Sequence, residues 1–220
     1  MNAFRLSLVV TLLAAILFPL PANGGDRCPW GFFPTPNLPP PSEYVSRADW
    51  HAYYANGIYI DDIRHHGFTE NFPPPLPGNP QIEQFGSVLD LVVYVPGYGS
   101  IPAHITNVPV SVWVSWAGEA GGITDYATEM LSLNVNWNSP LGPVLIRESP
   151  TLVSLGLTRI QPSGGGYMID SFFDIFTELS LDGGQSWVPS TNPNGDHMGL
   201  IPEPAALALL AVGGLLLRRR

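Results

Sequence analysis

Two segments of the chain alternate strictly between apolar residues and other residues. Val or Trp occupies every second position of residues 108–116, and Leu, Val or Trp occupies every second position of residues 131–137. Successive side chains of a β-strand point to opposite faces of the sheet. Each segment therefore predicts a strand with one apolar face and one more polar face.

The rest of the central region also predicts strands. These further strands are expected at residues 57–63, 87–95, 143–148, 154–161 and 185–188, with glycine and proline between them as turn formers. Residues 167–182 fit helical spacing, but their content of Tyr, Ile, Phe and Thr favours a strand. The sequence therefore predicts an all-β fold, an antiparallel β-sandwich or jelly roll, flanked by an N-terminal signal helix and a C-terminal hydrophobic helix.

Both ends of the chain differ from this central region. Arg5, an apolar run over residues 6–18 and small residues at Ala22 and Gly24 are typical of a secretory signal peptide that is cleaved after Gly24. The predicted organisation is a signal peptide (1–24), a proline-rich linker (25–42), a β-sandwich domain (43–190), a second linker (191–201) and a C-terminal segment (202–220).

Charge and residue counts exclude several classes of function. The formal net charge is −9, and the chain contains no lysine. An acidic surface repels phosphate backbones, so nucleic-acid binding is not expected. Without lysine, a P-loop and Schiff-base chemistry are excluded. The one cysteine, Cys28, cannot close an internal disulfide, which leaves a free thiol or an intermolecular bridge. No pattern requires a cofactor.

The segment SLDGGQSW, residues 180–187, is a candidate structural turn. A carboxylate at position 182 can accept hydrogen bonds from the turn backbone, the two glycines supply positive φ, and the tryptophan packs beneath the hairpin. Through Ser180, Asp182, Gly184 and Trp187, the segment resembles the Asp-box of sialidases and other β-proteins. In that family the box is a fold element distant from the catalytic centre, so the resemblance implies a structural role.

A cluster of acids and histidines is the candidate metal site. Asp61, Asp62, His65 and His66 offer two carboxylates and two imidazoles to a metal ion. However, adjacent residues of a strand point to opposite faces, so the two histidines cannot easily share one ion. This pattern favours a polar strand end over a metal site.

Three acids recur at every fourth position of one predicted strand. Asp170, Asp174 and Glu178 share a strand face about 13 Å apart, which exceeds the carboxylate separation of glycosidases. We therefore expect solvated acids. A carboxylate pair with Glu148 or Glu129 from another strand remains open.

The C-terminal segment has three parts. A Pro-Glu-Pro motif is followed by thirteen small or apolar residues, 205–217, and by three arginines. As a helix, the apolar part would be about 20 Å long, less than a hydrocarbon core of about 30 Å, and the arginines would remain cytoplasmic. The motif and the arginines are Pro202, Glu203, Pro204, Arg218, Arg219 and Arg220.

In that order, these parts resemble the PEP-CTERM sorting signal of exported bacterial proteins. The resemblance implies recognition by an exosortase, a membrane-embedded peptidase, and cleavage near the motif. A second resemblance covers residues 146–151 and 164–187, which are similar to a block in uncharacterised exported proteins that carry the same tail. It implies a shared β-domain and no known catalytic residue.

These observations predict an exported protein of the cell envelope or extracellular matrix with a structural or interaction role and no catalysis. Its expected partners are an exosortase-type peptidase, exopolysaccharide, and the membrane through the C-terminal helix before processing. The first alternative is a carbohydrate-binding module, because Trp113, Trp116, Trp137, Trp187 and the tyrosines could stack on sugar rings. The second alternative is a polysaccharide-active hydrolase.

Overall fold

The computed structural model describes residues 29–46 and 51–202. Strands make up 66% of the structure, and one 3₁₀ turn, Ala55–Gly57, is the only helical element in these ranges. The strands in chain order are β1 (Gly31–Phe33), β2 (Glu43–Ser46), β3 (Ala52–Tyr53), β4 (Tyr59–His66), β5 (Gln81–Val95), β6 (Gly99–Ala120), β7 (Ile123–Ser139), β8 (Gly142–Glu148), β9 (Ser154–Ser163), β10 (Gly166–Ile175), β11 (Thr177–Ser180), β12 (Val188–Pro189) and β13 (Asp196–Ile201).

Eight of these strands form a closed antiparallel barrel. Its order is β2, β4, β5, β6, β7, β9, β10 and β13, and β13 pairs with β2 to close the ring. Each barrel strand therefore lies beside the barrel strand that precedes it in the chain. Because closure pairs both edges of the sheet, β2 and β13 are interior members of a continuous ladder.

Smaller elements are attached to the barrel. The second half of β7 leaves the ring and pairs with β8, which continues through β11 to β12 as a small antiparallel sheet. Strand β1 pairs with the start of β10, and β3 pairs with the start of β4. The small sheet packs its inner face, which includes Val144, Ile146 and Leu179, into the common hydrophobic core.

Three long strands and their bulges explain why the sheet closes. Strands β5, β6 and β7 contain 15, 22 and 17 residues. Register shifts interrupt the pairings of β4 with β5, β5 with β6 and β6 with β7. Asp62 and Asn107 lie at two of these shifts with φ of 50° and 58°. A β-bulge bends its strand and increases the local twist, so the long strands curve around one core.

The prediction of an all-β antiparallel fold is confirmed, and its finer form is corrected. A jelly roll is built from Greek keys, whereas this ring connects neighbouring strands in succession. The other predicted strands are present, and residues 167–182 form β10 and β11 rather than a helix. The strand predicted at residues 185–188 is wrong: the amides of Gln185 and Ser186 bond to the Asp182 side chain in a turn, and only Val188 belongs to a strand, β12. The predicted flanking helices lie outside the described residues. No helix within residues 29–46 and 51–202 has the length and apolarity to cross a membrane.

Two segments that were expected to be linkers contain parts of the fold. Within 191–201, β13 is buried along almost its whole length and lies between β10 and β2. Within 25–42, β1 pairs with β10, and the Leu38 amide and carbonyl exchange hydrogen bonds with those of Phe72 at 2.8 and 2.7 Å. Short strands beside glycine and proline lack a clear alternation of apolar and polar residues. Pairing with a neighbouring strand, and not their own sequence pattern, makes them strands.

Candidate functional site

The four candidate metal ligands point in different directions. His65 is buried, and its Nε2 lies 2.6 Å from the Ser87 hydroxyl. His66 lies on the outer face beside Asp90, and Asp61 pairs with His51 at 2.9 Å. Asp62, in turn, sits at the bulge between β4 and β5. Within residues 29–46 and 51–202, no group of three or more His, Cys, Asp or Glu side chains is arranged to hold a metal ion.

Asp90 joins two histidines on the outside of the barrel. Its carboxylate oxygens lie 2.8 Å from His66 Nε2 and 2.6 Å from His104 Nδ1. These hydrogen bonds lower the pKa of Asp90 below its usual value. The cluster spans β4, β5 and β6, so it connects three strands on the solvent-facing side.

The three acids with a spacing of four residues each have a basic partner. Asp170 pairs with Arg159, Asp174 lies 2.7 Å from His197 Nδ1, and Glu178 accepts hydrogen bonds from Arg147 at 2.9 and 2.6 Å. Asp170 is only 2% exposed. The expectation of solvated acids is therefore wrong for Asp170. Its cross-strand partner is Arg159, and that register is a tertiary property.

Glu148, on β8, is an acid whose pKa is affected by two acids on other strands. Burial, followed by the charges of Glu129 and Glu178, raises the pKa of Glu148 to about 7, against a hydrogen bond from Ser154 that lowers it. The charges of Glu129 on β7 and Glu178 on β11 act on Glu148, but Glu178 itself pairs with Arg147, so the carboxylate pair that the sequence left open stays a prediction.

The turn at residues 180–187 is organised by Asp182. Its Oδ1 accepts hydrogen bonds from the backbone amides of Gln185 and Ser186, each at 3.0 Å, and its Oδ2 accepts one from the Ser186 hydroxyl. These bonds hold the pKa of Asp182 well below its usual range. Gly183 and Gly184 have φ of 73° and 91°, which residues with a Cβ rarely adopt.

The tryptophans do not form an exposed platform. Trp113, Trp116, Trp137 and Trp187 are all partly buried. The rings of Trp116 and Trp137 pack against the core. Trp187 lies under the guanidinium of Arg147, which is 3.9 Å from the ring centroid.

Tyrosines provide the accessible aromatic surface instead. Tyr53, Tyr59 and Tyr94 are cross-strand partners on β3, β4 and β5. The Tyr59 and Tyr94 rings stack with centroids 4.7 Å apart, so each covers a face of the other. Tyr53 remains 48% exposed, and Tyr98 in the following turn is 74% exposed.

The barrel interior contains a carboxyl group that the sequence analysis did not single out. Glu83 is 2% exposed, and burial raises its pKa to about 7. It lines a cavity of about 30 Å³ together with Thr128, Phe68 and Phe85. The sequence did contain a signal for its burial: Glu83 lies an even number of residues before the buried Phe85, Leu89 and Leu91, so it shares their face of β5.

A second cavity of about 30 Å³ lies where the small sheet faces β3, β4 and β5. Asp196 lines it, is 4% exposed, and has its pKa raised to about 6 by burial. Tyr54 and Thr177 also line it, and their hydroxyls are 2.6 Å apart. Asp196 Oδ2 has no hydrogen-bond partner within the described part of the chain.

The terminal candidate residues fall almost entirely outside the described ranges. Ala22, Gly24, Glu203, Pro204, Arg218, Arg219 and Arg220 lie outside them, as does Cys28. Pro202 is described, and it directly follows Ile201, the last residue of β13.

Comparison of the chain with profiles of known protein families, with curated proteins and with solved structures finds no match.

Proposed function

We propose that the protein is exported and sorted by its C-terminus to the cell envelope or extracellular matrix, where the barrel has a structural or interaction role. The observation that carries this proposal is the three-part segment from Pro202 to Arg220, combined with the signal-like residues 1–24. An exosortase-type peptidase is its processing partner, and exopolysaccharide is the extracellular partner we favour. The acidic net charge of −9 accords with a surface that avoids nucleic acid.

The position of the motif relative to the barrel bears on how it is recognised. Ile201 pairs with Glu43 in the closing strand pair of the barrel, and Pro202 follows immediately. Proline has no amide hydrogen and cannot continue the ladder, so the Pro-Glu-Pro motif begins where the strand ends. A peptidase that cleaves near Glu203 therefore acts within a few residues of the folded body.

The intact mass of the protein from its native host tests the route. We expect a mature species that lacks residues 1–24 and the arginines at 218–220. The double variant Pro202→Ala, Pro204→Ala should accumulate with its tail attached, whereas the control Pro77→Ala, Pro80→Ala, at two exposed loop prolines, should be processed normally. A wild-type mature protein that still carries Arg218 to Arg220 would contradict the proposal.

A second candidate function is carbohydrate binding, and the exposure of Tyr53 and Tyr98 favours it. Both rings are among the most exposed large apolar side chains of the described residues. Tyrosine side chains offer an apolar body with a polar tip, a combination that suits sugar rings. This site would lie on the β3–β4–β5 surface and the adjoining turn, not on the tryptophans.

Affinity electrophoresis in gels that contain the host's exopolysaccharide tests this second candidate. The double variant Tyr53→Ala, Tyr98→Ala should migrate faster than wild type in the polysaccharide gel and identically in a plain gel. Leu76→Ala is the matched control, because Leu76 is 71% exposed on a different loop. Equal retardation of wild type and the tyrosine variant would remove this candidate without affecting the sorting proposal.

A further inference from the structure

The cavity that Glu83 lines combines an acid with aromatic rings. Phe68 contacts Phe85 at a centroid distance of 5.5 Å and Tyr44 at 6.0 Å, and Tyr44 contacts Phe173 at 5.8 Å, all edge to face. These four rings and Glu83 line the same cavity. Aromatic rings attract cations through their electron-rich faces, and a carboxylate adds a full negative charge.

Two polar groups at this cavity lack complete hydrogen bonding. Gln81 donates a hydrogen bond of 2.7 Å to Glu83 Oε1, which leaves Oε2 as an acceptor that the bond from Gln81 does not use. Thr128 is 3% exposed, and its buried Oγ1 has no hydrogen-bond partner within residues 29–46 and 51–202. Buried polar groups normally have partners, and each exception requires an explanation.

The cavity also contains no cation that could pair with Glu83. Among its described lining residues there is no Lys or Arg. His65 is neutral near pH 7, because burial lowers its pKa to about 4. A buried carboxylate without a cationic partner is strongly disfavoured, and this is the reason Glu83 retains its proton until about pH 7.

We propose that the Glu83 end of the barrel interior is a binding site for a small primary alkylammonium ion. The ammonium donates hydrogen bonds to Glu83 Oε2 and Thr128 Oγ1, and its carbon atoms pack against Phe68, Phe85 and the neighbouring methionines. The site adds a ligand class to the body of the protein and does not depend on the export route.

The size of the cavity sets the size of the ion. A volume of about 30 Å³ has room for about two water molecules, which corresponds to methylammonium. Leu38 and Pro39 also line the cavity and come from the N-terminal proline-rich segment. Leu38 is 3% exposed, and its backbone hydrogen bonds to Phe72 fix it in the wall of the cavity. Leu38 therefore limits the length of the ion.

An NMR titration of the full-length chain, labelled with ¹³C at the methionine methyl groups, tests the proposal. The methionines also provide an internal control. Met130 and Met198 line the cavity, whereas Met168 does not. At pH 8, where Glu83 is ionised, methylammonium chloride should shift the Met130 and Met198 methyl signals and leave Met168 unchanged. The titration extends to about 100 mM, because a ligand of two heavy atoms binds weakly, and equal concentrations of sodium chloride and methanol serve as ionic and neutral controls.

Variants then assign the site. Glu83→Gln should weaken methylammonium binding about tenfold or more, because a charge-assisted bond is lost. Glu70→Gln, at an exposed acid on the loop after β4, should bind as wild type does. Leu38→Ala should extend binding to propylammonium, which wild type excludes. The methyl spectrum before titration reports whether each variant is folded.

Three results would overturn the proposal. The first is a shift of Met130 and Met198 that is no larger than that of Met168 in both wild type and Leu38→Ala. The second is an equal response to methanol, which would make the cavity a plain small-molecule pocket. The third is unchanged binding in Glu83→Gln.

Discussion

At the scale of single residues, three carboxyl groups have pKa values raised by burial. The pKa values of Glu83 and Glu148 are each raised to about 7, and that of Asp196 to about 6. Glu83 lines the first cavity, Asp196 lines the second, and Glu148 lies on β8 of the small sheet. Each group holds its proton more tightly in the folded protein than in the unfolded chain.

These three groups make stability depend on pH in a specific direction. Because their pKa values are raised on folding, the protonated groups contribute to the free energy of unfolding. This contribution is fully present below a pH of about 4 and is lost as the pH rises through 6 to 7. For Glu83 the loss is on the order of 3 kcal/mol. Thermal unfolding followed by circular dichroism should show a lower midpoint at pH 8 than at pH 5. Glu83→Gln should flatten this decline, and Glu70→Gln should not. A decline of equal slope in Glu83→Gln would assign the effect to other groups.

Asp182 titrates in the opposite sense. Its pKa is depressed by hydrogen bonds from the Ser186 hydroxyl and amide and from Ser180. The contribution of these bonds is therefore present above pH of about 4 and is lost as pH falls further.

Asp182→Ala should lower the thermal midpoint at pH 7 and reduce the loss of stability between pH 4 and pH 2. Asp182→Asn, which keeps one acceptor oxygen for the Gln185 and Ser186 amides, should lose less stability than Asp182→Ala. Equal midpoints for wild type and Asp182→Ala would show that the turn forms without the carboxylate.

At the scale of elements, β13 decides whether the sheet closes. Strand β13 pairs with β10 through residues 196–199 and with β2 through residues 198–201. Leu200 is fully buried, and Met198 is 5% exposed. The strand therefore contributes both ladder hydrogen bonds and core packing. Its neighbour β2 has only four residues, so a short pair completes a ring whose other strands are much longer.

Shortening one side chain of β13 tests its place in the core. Leu200→Ala should destabilise the protein by about 2–5 kcal/mol, because a fully buried leucine leaves a cavity behind. Leu152→Ala is the matched control, since Leu152 is 47% exposed and should change stability little. Urea denaturation gives both values. A cost below about 1 kcal/mol for Leu200→Ala would place β13 outside the cooperative unit.

At the scale of the whole molecule, the folded unit is longer at both ends than the predicted domain of residues 43–190. A fragment of residues 43–190 lacks β1 and β13. The loss of β13 removes one member of the ring and exposes the edges of β2 and β10. Open edges with unpaired backbone groups favour association with other chains.

Three fragments measure this difference. Residues 29–202 should unfold in a single cooperative transition and remain monomeric by size-exclusion chromatography. Residues 43–190 should show a broad transition or aggregate, because the barrel cannot close. A fragment of residues 43–205, which keeps β13 and omits β1, should resemble the longer one. Cooperative, monomeric unfolding of residues 43–190 would show that the closing pair is dispensable.

Local pattern alone determined the class of the fold and most of its strands. The alternation in residues 108–116 and 131–137 lies within β6 and β7, and the aromatic and β-branched content of residues 167–182 marks β10 and β11. These features are visible in sequence because side-chain direction on a strand repeats every two residues. The opposite directions of His65 and His66 follow from the same rule.

Only the tertiary structure decided closure, pairing and the interior site. Strands β1 and β13 are short segments beside glycine or proline, and they are strands because they pair with β10 and β2, which are distant in sequence. Asp170 and Arg159 meet because β9 and β10 are in register. Glu83 becomes an isolated acid only when eight strands enclose it with aromatic rings. Long-range contacts carry no local periodicity, so the chain's own alternation specifies strands, while the ring and its cavity arise from how those strands bend and meet.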